Sequence, residues 1–164
     1  MTNITTVEGN LLTNVHHGTI IHGCNDVGRM GAGFALALKN MYPEVHQAYL
    51  DEYNARGLPM GSVVPAVAVT STENTQDLVV FNAITQHLYK GHPEAKPGKT
   101  RFVSYDAIEE SCSIINDYLN MFDTSKDDTL HFPMIGAGLG GGDWEIIKTI
   151  LDQTIKHPMI LWVL

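Results

Sequence analysis

The residues able to do chemistry begin in a run that is otherwise apolar. His22, Cys24 and Asn25 sit in TIIHGCN, where a buried strand would be expected to carry only hydrocarbon. His22 titrates near neutrality and can act as a general acid for a leaving oxygen or as a general base for a water. A hydrogen-bonded core histidine is the plainer alternative. Asn25 offers both donors and an acceptor to a sugar hydroxyl, or else closes an Asx turn. Cys24 fits a small buried hydrophobe better than a nucleophile, because no cation stands beside it in sequence to lower its pKa.

The same segment continues as DVGRMGAGFALALK, a glycine-rich turn that opens a helix. Glycines at 28, 31 and 33 allow close backbone approach, and the first amides of the following helix have no partners inside it. Such a turn can hold a phosphate without a cation. GRMGAG is neither the dinucleotide fingerprint GxGxxG nor a Walker loop, since no GK[ST] follows. A second loop repeats the chemistry. PMIGAGLGGGDWEII starts at Pro133 and places five glycines in the seven residues from Gly136 to Gly142 before another helix. In an open α/β sheet, loops leaving the carboxyl ends of strands line one crevice, so both can face a single diphosphate. Asp143 has a simple role as the N-cap of the helix starting at Trp144.

Those loops need a frame. Apolar and β-branched runs at 3–7, 19–24, 62–69, 78–82, 129–135 and 159–163 predict strands. Helical periodicity covers about 33–41, 43–56, 105–122 and 143–156. The third helix would bring Ile108, Cys112, Ile115, Leu119 and Phe122 onto one stripe. TIIHGC and VVPAVAV read as strands apolar on both faces, which predicts an α/β protein with a mixed sheet between two helical layers. One stretch, from Thr85 to about Thr100, has neither period, and it carries His87, Tyr89, Lys90, His92, Lys96 and Lys99. Connections of that length are often binding loops or lids; a solvated basic loop is the alternative.

The chain has 164 residues, a natural size for one domain over 1–164 that needs no metal or disulfide staple. Ten Lys plus Arg against eighteen Asp plus Glu give a net charge of −8, a poor balance for binding duplex nucleic acid. Protonating the eight histidines would bring the formal charge near zero, so solubility should fall in mild acid. Apolar runs such as 63–69 and 158–164 are too short to cross a bilayer, and MTNITTVEGN does not read as a secretory signal. Cys24 and Cys112 form neither a disulfide framework nor a zinc spacing. A cytoplasmic monomer, without membrane association, cofactor or metal, is expected.

Taken in order, ITTVEGNLL, TIIHGCNDVGRMGAGFALALKNMYP, HFPMIGAGLGGGDWEII and the terminal ILWVL resemble a macro domain along essentially the whole chain. The branch it is most similar to contains the ADP-ribose-1''-phosphate phosphatases, which also read His-x-Cys-Asn before the first loop. The resemblance implies a three-layer α/β/α sandwich with a mixed, mostly parallel six-stranded sheet. It also implies ADP-ribose and ADP-ribose 1''-phosphate as ligands, and metal-independent hydrolysis of the latter to ADP-ribose and phosphate. Site residues follow by position. Gly9, Asn10 and Leu11 would lie by the adenine, with Asn10 where many members have aspartate. Asn25 would hold the distal ribose, with Cys24 beside it and Gly31, Ala32 and Gly33 behind. Ile135, Gly136, Ala137, Gly138, Leu139, Gly140 and Gly141 would wrap the diphosphate. Trp162 falls where an aromatic often sits beside the adenine, although a terminal strand can simply pack it in the core. His22 takes the place of the proposed catalytic histidine, with Asn25 orienting the distal ribose for the reaction, and Lys90 or Lys99 can reach the terminal phosphate from the long loop. A non-catalytic ADP-ribose-binding module and a hydrolase removing ADP-ribose from macromolecules are the alternatives. The latter loses its nucleophile, because Gln86 follows Thr85 where that branch has lysine, and Gly140 stands where it has aspartate.

Overall fold

The computed structural model describes residues 2–70, 72, 77–121 and 129–164. Six strands, β1 (Ile4–Glu8), β2 (Gly18–Asn25), β3 (Val63–Val69), β4 (Leu78–Gln86), β5 (Leu130–Phe132) and β6 (Met159–Val163), form one sheet in the order β1-β6-β5-β2-β4-β3. Every neighbouring pair is parallel except β3 with β4. Helices α1 (Leu11–Asn14), α2 (Gly33–Met41), α3 (Pro43–Arg56), α4 (Tyr105–Asn120) and α5 (Trp144–Thr154) complete a three-layer α/β/α sandwich.

Strand alternation divides the core between two faces. Ile21, Phe81, Ala83 and Phe132 pack with Ile108, Cys112, Ile115, Ile147 and Leu151 of α4 and α5. Ile20 and Val80 face the other way, onto Leu38 and Val45 of α2 and α3, and Cys24 and Ile84 meet Met30 and Tyr49 there. β2 and β4 are therefore covered on both sides, as central parallel strands must be.

Several boundaries differ from expectation for identifiable reasons. VVPAVAV is the antiparallel edge strand, not one buried on both faces; its burial alternates, and Val67 is 49% exposed. Pro65, which lacks an N–H, is tolerated there because an edge strand has one unpaired side. β4 runs four residues beyond the predicted end at 82, to Thr85 and Gln86, because those polar groups hide a strand held by pairing with β2. Thr85 and Gln86 thus belong to the sheet, and the long connection starts at His87. The short α1 escaped notice although Asn10 caps it, its Oδ1 accepting the Leu12 N–H at 3.0 Å. Phe122 lies outside the described residues.

Candidate functional site

The carboxyl ends of β2, β4 and β5 open into a cavity of about 430 Å³, a size suited to a small organic ligand. Both glycine loops line it. From the first come Asn25, Arg29, Met30, Gly31, Ala32 and Gly33, continuing into Phe34 and Ala35; from the second come Pro133, Met134, Ile135, Gly136, Gly138, Leu139 and Gly140. His22, Gly23 and Cys24 lie at its β2 side, Thr85 and Gln86 at its β4 side, and Tyr89 and Lys90 arrive from the long connection.

The first loop is held by Asn25. Its Oδ1 accepts the N–H groups of Val27 and Arg29 at 3.1 and 3.3 Å, and its Nδ2 donates to the Arg29 carbonyl at 2.7 Å. The buried Tyr49 hydroxyl lies 2.7 Å from both the main-chain and side-chain oxygens of Asn25. The Asx-turn reading thus describes this side chain, and only its second N–H remains for a ligand. Ala32 caps α2 without a side-chain hydrogen bond, so among the described residues no cap side chain meets the first amides of that helix, which starts at the cavity wall.

The second loop folds on itself. Gly141 and Gly142 donate to the carbonyls of Gly138 and Gly136, and Gly140 accepts from Phe102 and Val103. Gly141 has φ +71, and a Cβ there would meet the Thr100 carbonyl at 1.8 Å, so this glycine seats the returning arm of the long connection. The N–H groups of Ala137, Gly138, Leu139 and Gly140 have no partner among the described residues. Asp143 caps α5 as predicted, accepting the Glu145 N–H at 2.9 Å.

His22 is buried, with Nε2 2.6 Å from Asn82 Oδ1. A carbonyl oxygen only accepts, so Nε2 carries the ring proton and Nδ1 keeps a lone pair. Burial pushes the His22 pKa down to about 4, partly opposed by the Asn82 bond. A ring that is neutral at neutral pH has no imidazolium proton to give, so the general-acid role falls and the general-base role remains. Burial also drives the Cys24 thiol pKa far up, which leaves it un-ionised 3.5 Å from His22 Nε2 and argues against a nucleophile.

Of the residues singled out in sequence, His22, Cys24, Asn25, Gly31, Ala32, Gly33, Ile135, Gly136, Gly138, Leu139 and Gly140 line this one cavity; Gly9, Asn10, Leu11, Ala137, Gly141 and Trp162 do not. The Asn10 side-chain oxygen is engaged in capping α1, and Trp162 packs against Gly9 while its Nε1 donates to His131 Nδ1 at 3.0 Å. Lys90 reaches the cavity, whereas Lys99 turns away, its ammonium 5.1 Å from the Phe102 ring centroid. Sequence reading missed Arg29 and Phe34, and named Tyr89 only as part of the long connection. A cation inside GRMGAG was the available signal for Arg29; nothing local marks Phe34.

The long connection is anchored where it starts. Leu88 adopts a left-handed φ of 64°, its N–H held by Asp26 Oδ1 at 2.9 Å and its carbonyl by Gln86 Nε2 at 3.0 Å. His87 adds a 2.6 Å contact from Nδ1 to Asp26 Oδ2. These bonds offset the cost of a bulky residue at positive φ and aim the next residues, Tyr89 and Lys90, at the cavity.

The chain belongs to the macro domain family, whose model matches residues 21–151. A 17.5 kDa protein from the tk-vs intergenic region of Enterobacteria phage T4 is 30% identical over 89% of this chain and 86% of its own. The ADP-ribose 1''-phosphate phosphatase of Saccharomyces cerevisiae is 26% identical, covering 93% of each chain. A DNA ADP-ribosyl glycohydrolase of Thermus aquaticus is 24% identical over 96% of this chain, which spans 39% of that protein. Among solved structures, a Bacteroides thetaiotaomicron protein superposes with a TM-score of 0.79 at 26% identity, covering 98% of both chains.

Proposed function

We propose that the cavity binds ADP-ribose, with the diphosphate held by main-chain N–H groups of both glycine loops. One observation carries this reading: in a protein of net charge −8, the two loops line a single cavity with no Asp or Glu in its wall among the described residues. Amide dipoles fixed in a concave wall favour an anion at little reorganisation cost. The distal ribose would take the second Asn25 N–H. The adenine would lie toward Phe34, which packs into the same core as Trp162 and links the cavity to the Gly9–Leu11 segment.

Hydrolysis of ADP-ribose 1''-phosphate is the catalytic form of this proposal, and the lone pair on neutral His22 favours it. Water attacks phosphorus, His22 Nδ1 takes its proton, the bond from phosphorus to the 1''-oxygen breaks, and the sugar oxygen leaves as a hydroxyl once protonated from solvent. The overall 26% identity to the yeast phosphatase supports the same reading. Release of ADP-ribose from a macromolecule is supported by the glycohydrolase relative, but Gln86 lines the cavity without an amine for a Schiff base.

Calorimetry with ADP-ribose, phosphate release from the 1''-phosphate in EDTA, and release from an ADP-ribosylated protein and oligonucleotide, assayed side by side, test the reading. Binding with phosphate release is expected. Binding without any turnover leaves a recognition module, and absence of binding overturns the proposal. Equal phosphate release by the parent and His22→Ala removes His22 from the chemistry. The reading carries with it a monomer acting in the cytoplasm.

A further inference from the structure

The main-chain amides account for a diphosphate, yet the cavity holds two cations besides. Arg29 is held in place from two sides. Its side chain crosses Gly31 so closely that a Cβ there would come within 2.7 Å of the Arg29 Nε, and its guanidinium carbon lies 5.2 Å from the Tyr89 ring centroid. A guanidinium held over a ring by this cation–π contact keeps N–H groups that do not meet the ring for an acceptor. Lys90, adjacent to Tyr89, lines the same cavity. Among the described residues neither cation forms an ion pair.

Position gives these charges a purpose. The Arg29 main chain is bonded through both its N–H and its carbonyl to the Asn25 amide, so the guanidinium springs from the end of the cavity where Asn25 stands. Tyr89 and Lys90 enter from beyond β4, whereas the second glycine loop follows β5, on the opposite side of β2. Two cations at that end, on a chain of net charge −8, suit one compact phosphate better than the repeating charges of a strand.

The geometry points to a second anion subsite, built by Arg29 and Lys90, that selects ADP-ribose bearing a terminal phosphate monoester on its distal ribose over ADP-ribose itself. This rests on the ADP-ribose reading above and names the residues that set its substrate class. Gly31 and Tyr89 are the positioning residues: one leaves room for the Arg29 side chain and the other holds its plane.

The test compares affinities for ADP-ribose and ADP-ribose 1''-phosphate, by calorimetry under conditions of no turnover, in the parent and in Arg29→Met, Lys90→Met and Tyr89→Leu. The parent should bind the 1''-phosphate at least about tenfold more tightly, as expected for charge-assisted bonds to phosphate. Each cation variant should lose most of that ratio, which compares two ligands on the same protein and so reads the subsite apart from any change in ADP-ribose affinity itself. Tyr89→Leu should lower the ratio with Arg29 intact. ADP-ribose binding with no preference in the parent, or a preference unchanged in all three variants, overturns the subsite and leaves the ADP-ribose reading standing. Failure to bind either ligand overturns both. Tighter binding of an ADP-ribosylated oligonucleotide than of the monoester, lost in the same variants, overturns the monoester assignment.

Discussion

His22 on β2 and Asn82 on β4 face each other across the sheet at 2.6 Å, and both are buried. The two positions are in register, so a backbone pairing sets a side-chain bond. Asn82 Nδ2 has no partner among the described residues, an uncommon state for a buried amide and one that makes this pair a polar defect beneath the cavity. What the fold gains is a histidine held in one tautomer by Asn82, with the Cys24 thiol 3.9 Å from its Nδ1.

Acid should find this defect. The His22 pKa is about 4 folded against 6.5 for the free side chain, so the unfolded chain binds more protons between those values. The stability contribution is whole above pH 6.5 and lost as pH falls toward 4, amounting to about 3 kcal/mol in all. Urea unfolding at pH 7 and pH 5 should show the parent losing about 2 kcal/mol more than His22→Gln between the two. Equal losses would mean that His22 is not buried as a neutral ring.

Within the second glycine loop, two alanine substitutions should separate scaffold from contact. Gly141→Ala forces a Cβ onto the Thr100 carbonyl at φ +71 and should cost on the order of 3 kcal/mol. Gly138 has nothing within 4 Å of an added Cβ, so Gly138→Ala should leave the melting temperature within about 2 °C. If the loop holds the diphosphate, the same variant should bind ADP-ribose several-fold more weakly. Thermal melts and calorimetry on both proteins check this.

Tyr49 reaches the first loop from α3, and its hydroxyl is the only group from outside β2 and the loop among the bonds described for Asn25. Burial drives its pKa far up, so it is a neutral donor at any ordinary pH. Tyr49→Phe should destabilise the protein by about 1 kcal/mol and weaken ADP-ribose binding beyond that of a variant equally destabilised elsewhere. A loss of stability with unchanged affinity would show that Asn25 keeps its geometry unaided.

The two tryptophans report on different places. Trp144 packs on Phe132 at the start of α5, whereas Trp162 lies against Gly9 and shares a core with Phe34. If adenine lies toward Phe34, ADP-ribose should quench fluorescence in Trp144→Phe and leave Trp162→Phe nearly unchanged. Quenching in both variants alike would move the adenine elsewhere.

Periodicity and punctuation carried most of the architecture in the sequence. The bounds of α2 and α3 were legible because GFALALKNM and PEVHQAYLDEYNAR have capping or breaking residues at their edges, and Gly, Pro and Asn bracketed the strands. The two glycine loops were legible as backbone sites for the same local reason. Strand order was not, since pairing between distant segments leaves no local mark; Pro65 argues against a central place for VVPAVAV but does not name its neighbour. Nor was the state of His22, whose neutrality comes from burial against the opposing bond to Asn82, 60 positions away. Arg29 and Tyr89 meet across 60 positions, next to a Leu88 held at positive φ by Asp26 and Gln86. Local chemistry is written in short stretches of chain, but burial, electrostatics and the meeting of separate loops exist only once the sheet has brought distant segments together.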